Sequence, residues 1–444
     1  MAKGKCLMRF AVASLGCKTN QYEMDALAES LRARGLTIVG PDDEADVYIL
    51  NTCTVTAEAE RKSRQTLRRF RRQNANALLV ACGCYSQRAD LSTLANITIG
   101  TGLRDQLADL ILDAMESEGE GNVSEIRPAC SWTCYEELGA SAFPKETRAF
   151  LKIQDGCNNR CTYCAICLAR GPARSRGLDN IIREAKQLVA RGYSEIVLTG
   201  TNINAYGVDF EHTASCQDLA TVLEALDRIE GIQRIRLGSL ESGTINPDFV
   251  ARIKKLHHLC PSFHLSLQSG SDRILKAMCR RDTTSEYLNA VHMLREAFPS
   301  AGITTDLIVG FPGETQADFL ETLAFCDQVK FVRIHVFRFS CRPGTRAASM
   351  PGQVRKDLAI ERSQILRTKA SELAVLAIRE RMGETRQVLV ERFDSQGRAE
   401  GYTPEYIYVK GLTRPDRKPP LVSGDITLMR IIGVEEETAL AEIL

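Results

Sequence analysis

Cys157, Cys161 and Cys164 sit in one short run, Cys-Asn-Asn-Arg-Cys-Thr-Tyr-Cys. In a long chain that is not a small secreted scaffold, thiols spaced this way serve a metal, a nucleophile or a core, not a disulfide framework. A four-cysteine zinc site pairs two separated Cys-x2-Cys knuckles. Bacterial ferredoxins use Cys-x2-Cys-x2-Cys-x3-Cys. Neither spacing matches. Three thiolates on one tight loop suit three irons of a [4Fe-4S] cube and leave the fourth iron open to a chelating ligand. A zinc loop completed by a remote residue is the competing reading. Cys167 is a spare thiol nearby; a filled fourth iron could hold no ligand, so Cys167 is read as a bystander.

A second set lies upstream. Cys17 follows a strand-like run in Ser-Leu-Gly-Cys, Cys53 another in Asn-Thr-Cys-Thr, and Cys84 a third in Cys-Gly-Cys-Tyr. Open parallel α/β sheets bind ligands outside the carboxyl ends of their strands. Three cysteines at three such ends can converge on a second cluster, with buried structural cysteines as the alternative. Cys82 is a rival ligand, but it precedes the glycine and still belongs to the strand, so Cys84 is preferred.

The elements around these residues read as an α/β chain. It has 444 residues, 44% hydrophobic and 25% charged, with Lys+Arg 57 against Asp+Glu 56. That composition excludes wholesale disorder, collagen and a coiled-coil rod, and a net charge of +1 confines any nucleic-acid surface to a local patch. No apolar run approaches the ~20 residues that span a bilayer, and Arg9 interrupts the apolar stretch of a poor signal peptide. A cytoplasmic protein without a membrane partner is expected.

Residues 8–128 alternate strand-like and helix-like runs, which predicts an open parallel α/β domain. Strands are expected over 10–15, 46–51, 77–81 and 97–100. Residues 129–146 fall in a Glu-, Gly-, Ser- and Pro-rich stretch and read as a linker. Residues 147–378 hold six βα units, with strands over 149–154, 195–199, 234–239, 262–268, 303–309 and 331–339; these predict a partial (βα)6 barrel. Residues 379–444 read as short strands between Gly, Pro and Asp, a small all-β barrel.

At the expected strand ends of the central barrel stand Gly200, Glu241, Gln268, Ser269, Gly310 and Gly313. Each alone is turn chemistry; together around one rim they point to a bound ligand. Arg170, Arg174, Arg176, Arg338 and Arg342 would add a cationic rim. Arg61, Lys62, Arg64, Arg68, Arg69, Arg71 and Arg72 concentrate positive charge on one predicted helix, with a solvated face beside acidic neighbours as the plain alternative. Arg64, Arg68, Arg69 and Arg72 are the RNA-contact candidates there. Tyr402 and Tyr406 are candidates for stacking on bases, against barrel packing.

The central cysteine spacing resembles the radical-SAM superfamily. With Leu-Gly-Cys17-Lys-Thr-Asn-Gln-Tyr-Glu, Asn-Thr-Cys53-Thr-Val-Thr, Gly-Cys84-Tyr, Lys-Ile-Gln-Asp-Gly-Cys157 and Val-Gly-Phe-Pro-Gly-Glu314, the chain resembles the radical-SAM methylthiotransferases nearly end to end. The resemblance implies an N-terminal methylthiotransferase domain, a radical-SAM partial barrel and a C-terminal TRAM domain. It implies two [4Fe-4S] clusters, one on Cys157, Cys161 and Cys164 and one on Cys17, Cys53 and Cys84, with S-adenosylmethionine (SAM) on the first. The implied reaction replaces the C2–H of a modified adenosine with C–SCH3. That bond is not acidic enough for a side-chain base, so no general acid or base is named. The implied partners are tRNA, a flavodoxin- or ferredoxin-like electron donor and a sulfur donor of unknown identity.

The Cys-Lys-x-Asn-x-Tyr-Glu wording resembles the branch acting on N6-threonylcarbamoyladenosine, 3′ of the anticodon. The alternatives are the isopentenyladenosine branch, the ribosomal-protein branch and, more remotely, a non-enzymatic iron–sulfur RNA-binding protein. For the threonylcarbamoyl carboxylate, Arg170, Arg174 and Arg338 are the candidate partners. Cys167, Asp282 and the extra thiols Cys82, Cys134 and Cys279 depart from the family pattern.

Overall fold

The computed structural model describes residues 8–117, 123–139, 147–210, 217–412 and 420–444. The N-terminal region is a six-stranded parallel sheet in the order β2-β1-β3-β4-β5-β6. Its strands are β1 (Arg9–Ser14), β2 (Thr37–Val39), β3 (Val47–Thr52), β4 (Leu78–Gly83), β5 (Ile97–Ile99) and β6 (Val123–Glu125). Every residue of β3, Val-Tyr-Ile-Leu-Asn-Thr, is buried, as a parallel strand covered on both faces requires. Helix α1 (Lys18–Ala33) covers one face through Met24, Leu27, Ala28 and Leu31. Helix α2 (Ala57–Gln73) covers the other through Leu67 and Phe70, and the Phe70 ring stacks on Tyr48 at 4.6 Å. The Thr56 side chain caps α2 by accepting from the Ala59 amide, which fixes where the helix starts.

The central region is an open barrel made of two sheets, β10-β9-β7-β8 and β11-β12-β13-β14. Its strands are β7 (Arg148–Asp155), β8 (Arg174–Ser175), β9 (Glu195–Gly200), β10 (Arg234–Arg236), β11 (Ser239–Leu240), β12 (Ser262–Leu265), β13 (Gly302–Val309) and β14 (Arg333–Arg338). The single strand expected over 234–239 is two. β10 pairs with β9 and β11 pairs with β12, and a lone Ile235–Leu259 bridge joins the halves. Gly238 lies at the break, where a Cβ would come within 2.9 Å of the Leu198 carbonyl oxygen.

The C-terminal region is a closed five-stranded barrel, β15-β16-β17-β19-β18. Its strands are β15 (Thr385–Phe393), β16 (Ala399–Tyr402), β17 (Tyr408–Leu412), β18 (Ile426–Glu435) and β19 (Thr438–Ile443). Its Thr403–Glu405 loop closes the amino-terminal end of the central barrel. Arg236 donates to the carbonyls of Thr403 (3.2 Å) and Pro404 (3.0 Å), and Arg148 pairs with Glu391 at 2.7 Å.

The expected linker is in large part ordered. Just after β6, which extends the N-terminal sheet, Trp132 of the linker packs on Gly102, and the Tyr135 hydroxyl donates to the Lys152 carbonyl at 3.0 Å. Residues 140–146 of that stretch lie outside the described residues. Among the described residues no helix is long and apolar enough to cross a membrane.

Candidate active site between two thiol trios

The turn from β1 into α1 sets the first thiol. Gly16 takes φ +100°, and Cys17 is the N-cap of α1. A Cβ at Gly16 would come within 2.7 Å of Cys53 Sγ, so only glycine allows the two strand-end turns this approach. Cys84 follows β4 through Gly83, φ +104°. Burial pushes the Cys84 thiol up to about 11, against the pull of Arg170, with Cys17 and Cys53 adding to the rise. Burial also raises Cys53. The structure thus brings Cys17, Cys53 and Cys84 together. Cys82 points elsewhere: it is fully buried in the sheet core beside the Leu50 carbonyl.

The second trio follows β7. Cys157, Cys161 and Cys164 line one depression of about 640 Å³. The Asn159 and Ile166 amides donate to Cys157 and Cys164 Sγ, each at 3.4 Å, and Asn202 Nδ2 donates to Cys157 Sγ at 3.6 Å. Burial raises all three thiols, Cys164 to about 12. Donors aimed at sulfur suit thiolates bonded to a metal, whose charge they spread, so both trios fit a cluster. Cys167 lines the same depression, its thiol against the Cys164 carbonyl.

A buried ion network that the sequence does not announce joins the trios. Arg170, from the helix Ile166–Arg170 after the Cys157 loop, donates through Nε to Cys84 Sγ at 3.3 Å. Its other nitrogens reach Glu23, Asp155 and Asn20, each at 2.8 Å. Lys152 pairs with Glu23 (2.8 Å) and Asp155 (2.7 Å), and Arg104 pairs with Glu23. Desolvation would raise the Asp155 carboxyl, but Arg170 and Lys152 overrule it and hold it far below the usual carboxylate range. The only sequence signal of this network is a pair of charged residues inside the quoted motifs, Glu23 after Gln-Tyr and Asp155 before Gly-Cys157.

This placement corrects the expected anion site. Arg170 and Arg174 are 1% and 4% exposed, and both pair with Asp155. Arg176 pairs with Glu184, and Arg342 with Glu60 of α2. These guanidinium groups are spent on internal carboxylates. Arg338 alone of that set is exposed, on the wall of a cavity of about 170 Å³ between Cys164 and Val55–Thr56, just past Cys53.

That cavity meets a larger lumen of about 470 Å³ at Asp306 and Phe337. The lumen is roofed by Gly16, Cys17 and Lys18 and floored by Arg236 and Tyr406. On its wall His264 Nε2 lies 3.3 Å from Asp306, and His335 faces both. Desolvation by the surrounding walls lowers Lys18 to about 8, with Arg148 and Arg236 adding to the drop and Glu195 opposing it, although its side chain is open to the lumen.

The expected SAM residues divide. Gly200 and Gln268 line these cavities. Glu241 accepts from Asn159 Nδ2 (2.5 Å) and from Arg280 (3.2 Å), so it braces the cysteine loop. Arg280, which stands in none of the quoted motifs, also hydrogen-bonds Cys161. Ser269, Gly310 and Gly313 sit in turns. Ser269 Oγ accepts from the Ser271 amide. A Cβ at Gly310 would press on Ala359 at 2.8 Å, and the Gly313 amide donates to Gly352.

The RNA candidates divide too. Arg68 and Arg72 are exposed on α2 with no acidic partner among the described residues. Arg64 is held by the Tyr85 hydroxyl at 2.6 Å and Arg69 by Asp42 at 2.7 Å. Tyr402 and Tyr406 stack on each other at 4.6 Å beneath Arg148 and Arg236. They are a joint between the two barrels, not an open stacking platform.

Comparison with known proteins follows the same division. Residues 151–326 match the Radical SAM superfamily, and residues 9–100 match the uncharacterized protein family UPF0004. A Thermotoga maritima protein named threonylcarbamoyladenosine tRNA methylthiotransferase MtaB is 38% identical, covering 89% of each chain. A Bacillus subtilis protein of the same name is also 38% identical, over 90% of this chain and 89% of that one. A tRNA-2-methylthio-N(6)-dimethylallyladenosine synthase from Pelotomaculum thermopropionicum is 33% identical, over 95% and 93%. Among solved structures, the radical S-adenosylmethionine methyltransferase TsrM from Kitasatospora setae shares the fold, with TM-score 0.57 at 14% identity over 77% of this chain and 75% of that one.

Proposed function

This chain belongs to the radical-SAM methylthiotransferases, and we propose that it converts N6-threonylcarbamoyladenosine, 3′ of the anticodon in tRNA, to its 2-methylthio derivative. Two [4Fe-4S] clusters and SAM serve the reaction, as in the family. We assign one cluster to Cys157, Cys161 and Cys164 and the other to Cys17, Cys53 and Cys84. When bound, these groups supply the electron, the radical hydrogen abstraction, the sulfur and the methyl group. The observation that carries the reading is one thiol of each trio on two adjoining cavities, Cys164 on the smaller and Cys17 on the larger, in a chain whose relatives over most of their length are named threonylcarbamoyladenosine tRNA methylthiotransferases.

The protein's own share is positioning and exclusion of water. The cleft between Cys164 and Val55–Thr56 receives the base. Glu241 and Arg280 hold the Cys157 loop, and Arg170 ties that loop's helix to Cys84. Arg68 and Arg72 on α2 meet RNA phosphates, and Arg338 stands at the mouth of the cleft. The electron comes from a small flavodoxin- or ferredoxin-like protein, and the enzyme works in the cytoplasm where its tRNA is.

The test is direct. Purified, anaerobically reconstituted enzyme is given SAM, a reductant and one of two tRNAs, and the nucleosides are read by mass spectrometry. The threonylcarbamoyl tRNA gains a methylthio group and the isopentenyl tRNA does not. Turnover of the isopentenyl form alone overturns the substrate and leaves the chemistry.

A further inference from the structure

The lumen beneath Cys17 has an unbalanced charge. Arg148, Arg234, Arg236 and Lys18 gather at or near its floor and roof, against Glu195 and Glu391. Glu195, the carboxylate nearest this group, is occupied by Arg236 at 2.7 Å, Arg234 at 3.6 Å and Arg148 at 3.9 Å. Glu391 is taken by Arg148. Across the lumen Asp306 is held by His264 at 3.3 Å. Lys18 therefore ion-pairs with no carboxylate among the described residues. Its side chain is exposed into the lumen, so an anionic group entering there meets a free cation and gains a charge-assisted hydrogen bond.

We propose that Lys18 binds the carboxylate of the substrate's N6 substituent, inside the lumen and next to the Cys17 trio. The assignment rests on the threonylcarbamoyl reading above and names the residue that enforces it. Lys18 is the first residue of α1, so the positive end of that helix backs the same site. Thr304 and His264, already hydrogen-bonded to each other at 2.9 Å, offer hydrogen-bonding partners for a hydroxyl or carbamoyl group on the same wall. An apolar substituent of similar size would gain nothing from the ammonium, so Lys18 discriminates by attraction to the carboxylate.

Two other anions share this chemistry: the carboxylate of SAM and an RNA phosphate. The experiment separates them. Equilibrium binding is measured for the holoenzyme with a tRNA bearing threonylcarbamoyladenosine and with the same tRNA unmodified at that adenosine. The wild-type chain prefers the modified tRNA. Lys18→Met weakens binding of the modified tRNA roughly tenfold to a hundredfold, leaves the unmodified tRNA and SAM dissociation constants in place, and Lys18→Arg keeps most of the preference. Equal weakening of both tRNAs assigns Lys18 to phosphate and overturns the inference. Loss of SAM affinity with the preference intact assigns it to SAM and does the same. A wild-type measurement guards against a cluster lost in the variant: methyl-esterifying the threonyl carboxylate abolishes the preference, and equal binding of ester and acid contradicts the proposal. A wild-type enzyme that prefers isopentenyl tRNA overturns the substrate reading itself, whatever Lys18 does.

Discussion

The two thiol trios reach a similar end by different means. Cys157, Cys161 and Cys164 occupy one loop, where backbone amides at 3.4 Å orient the sulfurs. Cys17, Cys53 and Cys84 come from three strand ends of one parallel sheet. Their closure depends on Gly16 and Gly83 at positive φ and on Arg170 from the other domain. A local site is held by its own backbone. An assembled site is held by the fold, and here by a domain interface, so damage far from the sulfurs should fall on the second trio first.

Arg170→Met is the largest way to break that symmetry. It strips a buried partner from Glu23 and Asp155, 1% and 5% exposed, and removal of one partner of a buried pair costs about 3–5 kcal/mol. The melting temperature falls, and the N-terminal trio loses iron while the Cys157 loop keeps its own. The acid limb follows from the same pairing. Asp155 titrates far below its unfolded value of ~3.9, so its stabilisation is present above that pH and fades as pH drops below it. Acid unfolding of the wild type therefore shows this loss below about pH 4, and in Arg170→Met the loss shrinks. An unchanged acid limb would mean that the network does not stabilise the interface.

Next comes the ligand choice within the assembled trio. Cys84→Ala halves the iron of the reconstituted chain, whereas Cys82→Ala keeps it, because Cys82 is packed in the sheet core. Iron analysis of the two variants decides, and the reverse pattern would exchange the two residues.

Smaller still is the effect of the exposed Arg68 and Arg72 on α2. Arg68→Glu with Arg72→Glu lowers tRNA affinity and flattens its salt slope by about 0.9 for each phosphate no longer neutralised. Arg64→Gln does less to the slope, since Arg64 is already bonded to Tyr85. Equal slopes for wild type and the double variant would return α2 to a solvated face. The smallest change expected is from Cys167→Ser, which leaves iron content in place and shifts stability by no more than about 0.5 kcal/mol. Loss of iron there would make Cys167 a ligand.

The same contrast explains what could be read from sequence. The loop trio is visible in eight residues. The N-terminal trio could be read because strand ends in a parallel sheet point one way, so a Cys just after each of three strand patterns is the signal. α1 was legible from Met24, Leu27, Ala28 and Leu31. The short strands β2, β6, β8 and β16 were not, because two to four residues carry no usable period. Arg170 and Arg174 look like a cationic rim until Asp155 and Glu23 are placed beside them, and ion partners 147 positions apart leave no spacing to read. Lys18 was in view within the motif, but its isolation from carboxylates is a property of the lumen.

The central claim is two clusters with divided labour, and anaerobic iron and 5′-deoxyadenosine analysis of three proteins tests it most directly. The unmodified chain carries about eight irons. With Cys157, Cys161 and Cys164 all changed to Ala, half the iron goes and SAM cleavage stops. With Cys17, Cys53 and Cys84 changed instead, half the iron goes, 5′-deoxyadenosine is still released, and no methylthio product forms. Four irons in the unmodified chain, or methylthio product without the N-terminal trio, would contradict the two-cluster assignment.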